Sequence, residues 1–217
     1  MDSDRPVTGE QLNDGPPTIP RRSAAVILLR DGSAGFELLL VRRNPAQRFM
    51  GGFWVFPGGA VDAHDGEGEA AHRAAAVREL REEAGVGGID AAGLVTYSRW
   101  ITPEALPIRF DTQFFLARAP AGVRARCDGH ECVELRWNAP RAVLAAHRRG
   151  ELALAFPTLR QLEQLSRFAS ADELVEYARS HEVRPMRPRV VNSGEVARVI
   201  LPGESGLDEE ADSHAGA

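Results

Sequence analysis

The sequence predicts an α/β (or α+β) fold, a mixed sheet covered by helices. Three observations carry this. Short apolar runs bounded by Gly, Pro and Asp occupy the first half of the chain, one helix-forming stretch interrupts them, and helical patterns close the chain after Pro140.

Ser23 to Arg30 reads as a buried strand through Ala24, Ala25, Val26, Ile27, Leu28 and Leu29, and Phe36 to Arg42 as a second. The turn residues Asp31 to Gly35 join them as a β-hairpin. Gly51 to Phe56 is a short apolar strand ended by Pro57-Gly58-Gly59, where the backbone must turn without side chains in the way. From Glu69 to Ala84 the residues are strong helix formers, with Ala74, Val77, Leu80 and Ala84 as an apolar stripe and Gly85 in the position of a C-cap. Strands follow at Leu94 to Ile101, Pro107 to Ala117 and Cys132 to Trp137. Helices follow at Pro140 to Arg149, Thr158 to Arg167 and Ala171 to Arg179.

At 217 residues, one domain is expected, spanning 23–205, with a core at 23–149 and a helical extension at 150–205. Residues 1–22 and the acidic 206–217 lack an apolar period and read as mobile tails. The 43% hydrophobic and 26% charged residues are those of a globular domain. No apolar run approaches the ~20 residues of a membrane span, Met1 to Pro20 has no hydrophobic stretch of the signal-peptide kind and Ser213 to Ala217 does not read as a Ser-Lys-Leu type signal, so the expected address is the cytoplasm, away from membranes.

All 26 basic residues are Arg, which excludes Schiff-base and P-loop lysine chemistry and leaves a fork-shaped phosphate ligand. The arginines are dispersed among acids at a net charge of −5, which argues against bulk nucleic-acid binding. Cys127 and Cys132, with His130 between them, fall short of a structural zinc set and read as reduced thiols flanking a turn.

The chemistry concentrates in Arg78-Glu79-Leu80-Arg81-Glu82-Glu83-Ala84-Gly85-Val86. Glu79, Glu82 and Glu83 stand at i, i+3 and i+4, so a helix projects them from one face, with Val77, Leu80 and Ala84 on the other. Crowded carboxylates repel unless a cation sits among them, and hard oxygen ligands suit Mg²⁺ or Mn²⁺. A solvated acidic face with an Arg78–Glu82 pair is the plainer alternative.

Phe56-Pro57-Gly58-Gly59, a loop and this acidic run together resemble the Nudix box. The resemblance implies a Nudix α/β/α sandwich and hydrolysis of a diphosphate bond, with Glu79, Glu82 and Glu83 as metal ligands. It further implies Gly59 as a carbonyl ligand and Arg78 as the residue orienting a glutamate. A box glutamate expected eight residues before Arg78 is Ala70 here, in a loop about five residues longer than usual, and Glu67 or Glu69 is the expected stand-in. Catalysis would fall to Glu82, Arg78 and a base in the later loop, Glu131 in preference to Glu134.

Arg43, Arg48, Gly52 and the terminal Phe-Pro-Gly-Gly are similar in spacing to the motif before the box in Nudix coenzyme A diphosphatases, with Asn44 replacing a small residue. Arg43, Arg48 and Gly58 would then bind substrate, joined by Arg109 if the face carrying Arg109, Asp111 and Gln113 lines a cleft rather than meeting solvent. The expected substrate is a nucleoside diphosphate linked to another moiety, first coenzyme A or an acyl-CoA. ADP-ribose or NADH hydrolysis, or a non-catalytic Nudix-fold nucleotide sensor, are the alternatives. The resemblance leaves room for a homodimer, although no self-complementary patch is legible.

Overall fold

The computed structural model describes residues 12–13, 15–33, 35–193 and 196–203. The hairpin forms as expected: β1 (Arg21–Gly32) pairs antiparallel with β2 (Gly35–Arg43), Leu29 opposite Leu38 and Gly32 opposite Gly35. The first strand starts two residues early. The chain before it is already docked, with Asn13 N–H donating to Ala105 O and the Thr18 carbonyl accepting from Arg109. The expectation of a mobile tail therefore fails for residues near Arg22, while 1–11 and 204–217 lie outside the described residues.

Three further strands follow the pattern closely: β5 (Val95–Ile101), β6 (Phe110–Arg118) and β7 (Cys132–Asn138). The expected strand at Gly51 to Phe56 shrinks to β3 (Trp54–Val55), and a strand without apolar pattern, β4 (Gly58–Ala60), follows it. Among the described residues the main sheet runs β3-β2-β1-β6-β5-β8, where β8 is Pro185–Met186. It is mixed: β1 runs parallel to β6 and β5 to β8, and the other pairs are antiparallel.

The sheet divides between β1 and β2. The edge of β1 opposite β6 is shared, Leu29–Gly32 going to β2 and Ser23–Ala25 to β4. β2, having left β1, pairs with β3 at Val41–Arg42 and with β7 on its far edge. The β3–β4 segment thus enters an opening in the sheet, and this places the Pro57-Gly58-Gly59 turn inside the fold.

Strand alternation builds a core on each face. Ala24, Val26 and Leu28 point to α1 (Gly68–Ala84) and meet Ala75, Ala76, Leu80 and Ala84. Ala25, Ile27 and Leu29 point to the other side, where they share a core with Val143 of α2 (Pro140–Arg148), Leu162 and Leu165 of α3 (Phe156–Leu165) and Leu174 of α4 (Ala171–Ser180). The result is a three-layer α/β/α sandwich. Each fully buried Leu or Ile contributes roughly 1.5–3 kcal/mol over an exposed one, and the doubly covered central strand supplies three of them, Ile27, Leu28 and Leu29.

The stretch after 149 is not only helical. It supplies β8 to the main sheet and a separate hairpin of β9 (Arg189–Ser193) and β10 (Val196–Ile200). Among the described residues no helix is long and apolar enough to cross a membrane.

Candidate active site

The site grows from two glycines that permit close approach. A Cβ on Gly58 would lie 2.4 Å from the Ala24 carbonyl oxygen and 2.6 Å from Ala25 Cα, so only glycine lets β4 lie against β1 here. A Cβ on Gly59 would lie 2.5 Å from the Glu79 carboxylate. Beyond β4, a single 3₁₀ turn at Ala63–Asp65 and Gly66, at φ 95°, lead into α1. Gly85, left-handed at φ 64°, returns its N–H to the Arg81 carbonyl and ends the helix as expected.

The three glutamates do not share one solvated face. The side chain of Glu82 is 52% exposed, that of Glu79 12% and that of Glu83 3%. Glu83 joins Leu80 and Ala84 on the sheet side of α1, and the buried stripe runs through Ala71, Ala75, Ala76, Leu80 and Ala84, with Ala74 and Val77 at its margin. One Glu83 oxygen, Oε2, accepts the Gly58 N–H at 2.8 Å. The other, Oε1, lies 3.7 Å from Arg43 Nη1 and has no hydrogen-bond partner among the described residues. Burial pushes the Glu83 carboxyl up to about 7, against the pull of the Gly58 N–H and Arg43. Burial likewise raises Glu79, against the Arg78 hydrogen bond.

Arg78 gathers the helix and the loop. Its Nη1 donates to Glu79 Oε1 at 2.7 Å and to Glu82 Oε2 at 3.0 Å. Its Nε and Nη2 grip Asp65 at 3.1 and 2.9 Å, and Nη2 also reaches the Ala60 carbonyl at 2.9 Å. The Arg78 bond holds the Asp65 carboxyl below its ordinary range. Asp65 was not singled out in the sequence, and the expected stand-ins lie elsewhere: Glu69 pairs with Arg73 on the surface, and Glu67 precedes the helix. The available signal was the lengthened loop itself, which carries an acid just before a glycine able to turn back. With Arg78 holding two of the glutamates, no three His, Cys, Asp or Glu side chains among the described residues form a ready-made ligand cluster.

Arg43 lines the cavity beside Glu83, its Nε anchored on the Phe49 carbonyl at 3.2 Å. Arg48 is exposed in the following turn and outside the lining. Arg109 is buried as a strut, donating to the carbonyls of Thr102 at 3.1 Å and Thr18 at 2.5 Å. Of the two readings open for the face carrying Arg109, Asp111 and Gln113, the cleft is not the one found, since none of the three lines the cavity. Parallel pairing sets Thr112 beside Ser23, their hydroxyls 2.6 Å apart, so Phe110, Thr112 and Phe114 face the cavity while Asp111 is bound to Arg99.

Glu131 lines the cavity on a loop clamped from two sides. Asp128 accepts the N–H groups of Glu131 and Cys132 at 2.9 and 2.8 Å. Asn44 donates its backbone N–H to the Glu131 carbonyl at 2.7 Å and its side chain to the His130 carbonyl at 2.8 Å. Glu134 is outside the lining and engaged by Arg136 at 2.8 Å. Cys127 and Cys132 are free thiols, and burial raises Cys132 beside Glu83.

These groups open onto a cavity of about 570 Å³ with two characters. Glu79, Glu82, Glu83, Glu131 and Arg43 give its lining charge, and Trp100, Phe110, Phe114 and Phe156 give it apolar surface, with Pro188 and Val199 from the chain around the C-terminal hairpin. Phe49 and Phe110 pack with ring centroids 5.1 Å apart.

A profile of the NUDIX domain matches residues 20–158. The chain belongs to the Nudix family. A Caenorhabditis elegans protein named "Putative nudix hydrolase 7" is 28% identical, over 79% of this chain and 69% of the relative. A NUDIX hydrolase from Alicyclobacillus acidocaldarius superposes with a TM-score of 0.66 and 28% identity, covering 73% of this chain and 96% of that one. The NUDIX domain of Shewanella oneidensis NrtR, solved with ADP ribose, shares the fold at a TM-score of 0.54 and 18% identity, over 69% of this chain and 88% of that one. This Nudix protein is thus a hydrolase of phosphoric anhydride bonds, in a family that uses divalent metal ions and small nucleotide substrates.

Proposed function

We propose that this Nudix hydrolase cuts the diphosphate of a nucleoside diphosphate joined to a second moiety, with coenzyme A or an acyl-CoA as the first substrate to test. The observation that carries this reading is Glu83 Oε1, a buried carboxylate oxygen without a hydrogen-bond partner among the described residues, at the wall of a cavity large enough for a nucleotide. Together with the Gly59 cradle that a Cβ would fill against Glu79, it is the donor set that a hard divalent ion takes. Glu79, Glu82, Glu83 and the Gly59 carbonyl would hold Mg²⁺ or Mn²⁺, which when bound neutralises phosphoryl oxygens and lowers the pKa of water.

The chain's own groups do the rest. Arg78 fixes the rotamers of Glu79 and Glu82, and Asp65 fixes Arg78. Glu131, at the tip of a loop pinned by Asp128 and Asn44, accepts the proton of the attacking water. Arg43 offers its remaining N–H groups to a phosphate oxygen. The apolar surface of the cavity takes the far end of the substrate and excludes water from it.

Purified protein with Mg²⁺ or Mn²⁺ is expected to convert coenzyme A to 3′,5′-ADP and 4′-phosphopantetheine, read by mass spectrometry against ADP-ribose and NADH. Turnover of ADP-ribose alone would replace the substrate, and turnover of no dinucleotide would remove the diphosphatase reading.

Metal addition should also show the buried charge of Glu83. An acid whose folded pKa is raised to about 7 stabilises the fold at low pH, and that contribution is lost as pH rises through 7. A cation on Glu83 removes the penalty, so Mn²⁺ is expected to raise Tm more at pH 8 than at pH 5.5. Equal gains at both pH values in scanning fluorimetry would contradict a ligand role for Glu83.

A further inference from the structure

Among the described residues the cavity lining contains three arginines, Arg21, Arg43 and Arg78. Two are committed: Arg78 to Asp65, Glu79 and Glu82, and Arg43 to the Phe49 carbonyl beside Glu83. Arg21 is exposed, and no carboxylate among the described residues pairs with it. It is therefore the one cation of the described lining free to meet a ligand with its whole fork.

Its placement is built rather than incidental. Arg21 opens β1, its N–H donating to the Arg109 carbonyl at 2.9 Å and its Cα paired with Phe110 of β6. Alternation along the strand puts Arg21 on the side of Ser23 and Ala25, which also line the cavity. Arg22 turns the opposite way, to Gly68 and His72 of α1. The remaining charge in the lining is acidic: Asp62, Glu79, Glu82, Glu83, Asp128 and Glu131. A free guanidinium in such a lining selects an anion bidentately, and phosphate fits its fork.

The spacing along β1 suggests which phosphate. Ala24 is the Cα partner of Gly59, and Arg21 lies three residues farther along β1, about 10 Å at the rise of a strand. A diphosphate gripped at Gly59 and the α1 glutamates leaves Arg21 facing a more distant part of the same ligand.

We propose that Arg21 is a specificity-determining residue that binds a second phosphate of the substrate, a monoester outside the scissile diphosphate. This rests on the diphosphatase reading for the bond that is cut, but the binding itself can be measured without turnover.

Coenzyme A and dephospho-coenzyme A differ only in the ribose phosphate monoester and form the test pair. Arg21→Gln is expected to raise KM for coenzyme A about 10-fold or more with kcat nearly unchanged, and to leave KM for dephospho-coenzyme A as it is. Arg21→Lys should recover part of the loss, and Arg148→Gln, on the exposed side of α2, should change neither substrate. An equal KM rise for both substrates would place Arg21 on the shared diphosphate, and no rise for either would leave it without a role; both results overturn the proposal. If wild-type protein hydrolyses neither compound, the coenzyme A reading fails and calorimetry decides the present one. Adenosine 3′,5′-bisphosphate must then bind about 10-fold more tightly than AMP, and Arg21→Gln must erase the margin. Equal affinities, or no binding of either, overturn it.

Discussion

Glu83→Gln is expected to lower kcat by roughly two orders of magnitude or more while leaving the protein folded. The amide keeps an oxygen for the Gly58 N–H, so the bond that ties α1 to β4 survives. What is lost is a negative charge that the fold buries at a cost, since burial holds this carboxyl at about 7. Retaining so costly a group beside Arg43 makes sense if its charge is used. Circular dichroism and Tm should be near wild type in the variant, with Mn²⁺ affinity reduced. Near-normal turnover would remove Glu83 from the catalytic set, and with it the strongest support for metal binding at this helix.

The second large effect is a contrast between two adjacent glycines. Gly58→Ala would drive a methyl group into backbone, the Ala24 carbonyl and Ala25 Cα, which cannot move without parting β4 from β1. A loss of about 3 kcal/mol is expected, or a fall in Tm of about 6–12 °C for a chain of this size. Gly59→Ala meets instead the carboxylate end of Glu79, a group that can swing aside. Its Tm should stay close to wild type while turnover and metal affinity fall, by roughly 10–100-fold for the latter. Similar thermal losses in both variants would show that Gly59, like Gly58, serves packing rather than the carboxylate beside it.

The sandwich was legible where local pattern and long-range packing agree. The apolar run Ala24 to Leu29 reads as a strand covered on both faces, and it is one. The helix ending at Gly85 announces itself through composition and cap. β4 does not, because Gly58-Gly59-Ala60 has no apolar period; its extended state is imposed by Ser23–Ala25 alongside. The acidic run was recognisable, but the burial of Glu83 was not, since charge on a helix ordinarily marks its wet side. Asp65 meets Arg78 from thirteen residues away, through a loop whose path no local propensity dictates. Arg109 was misplaced because the pairing of β6 with β1, which decides which side faces the cavity, is a property of two distant segments. Arg21 was hidden by the composition of what precedes it, which reads as a tail although the strand has already begun.

The profile that defines the family ends at residue 158, yet Pro188 and Val199 help to enclose the cavity. The wall of the cavity is thus drawn partly from chain beyond the matched domain, while Arg21 and the glutamates lie within it. A change of side chain at Pro188 or Val199 would reshape that wall from a part of the chain that carries none of the glutamates.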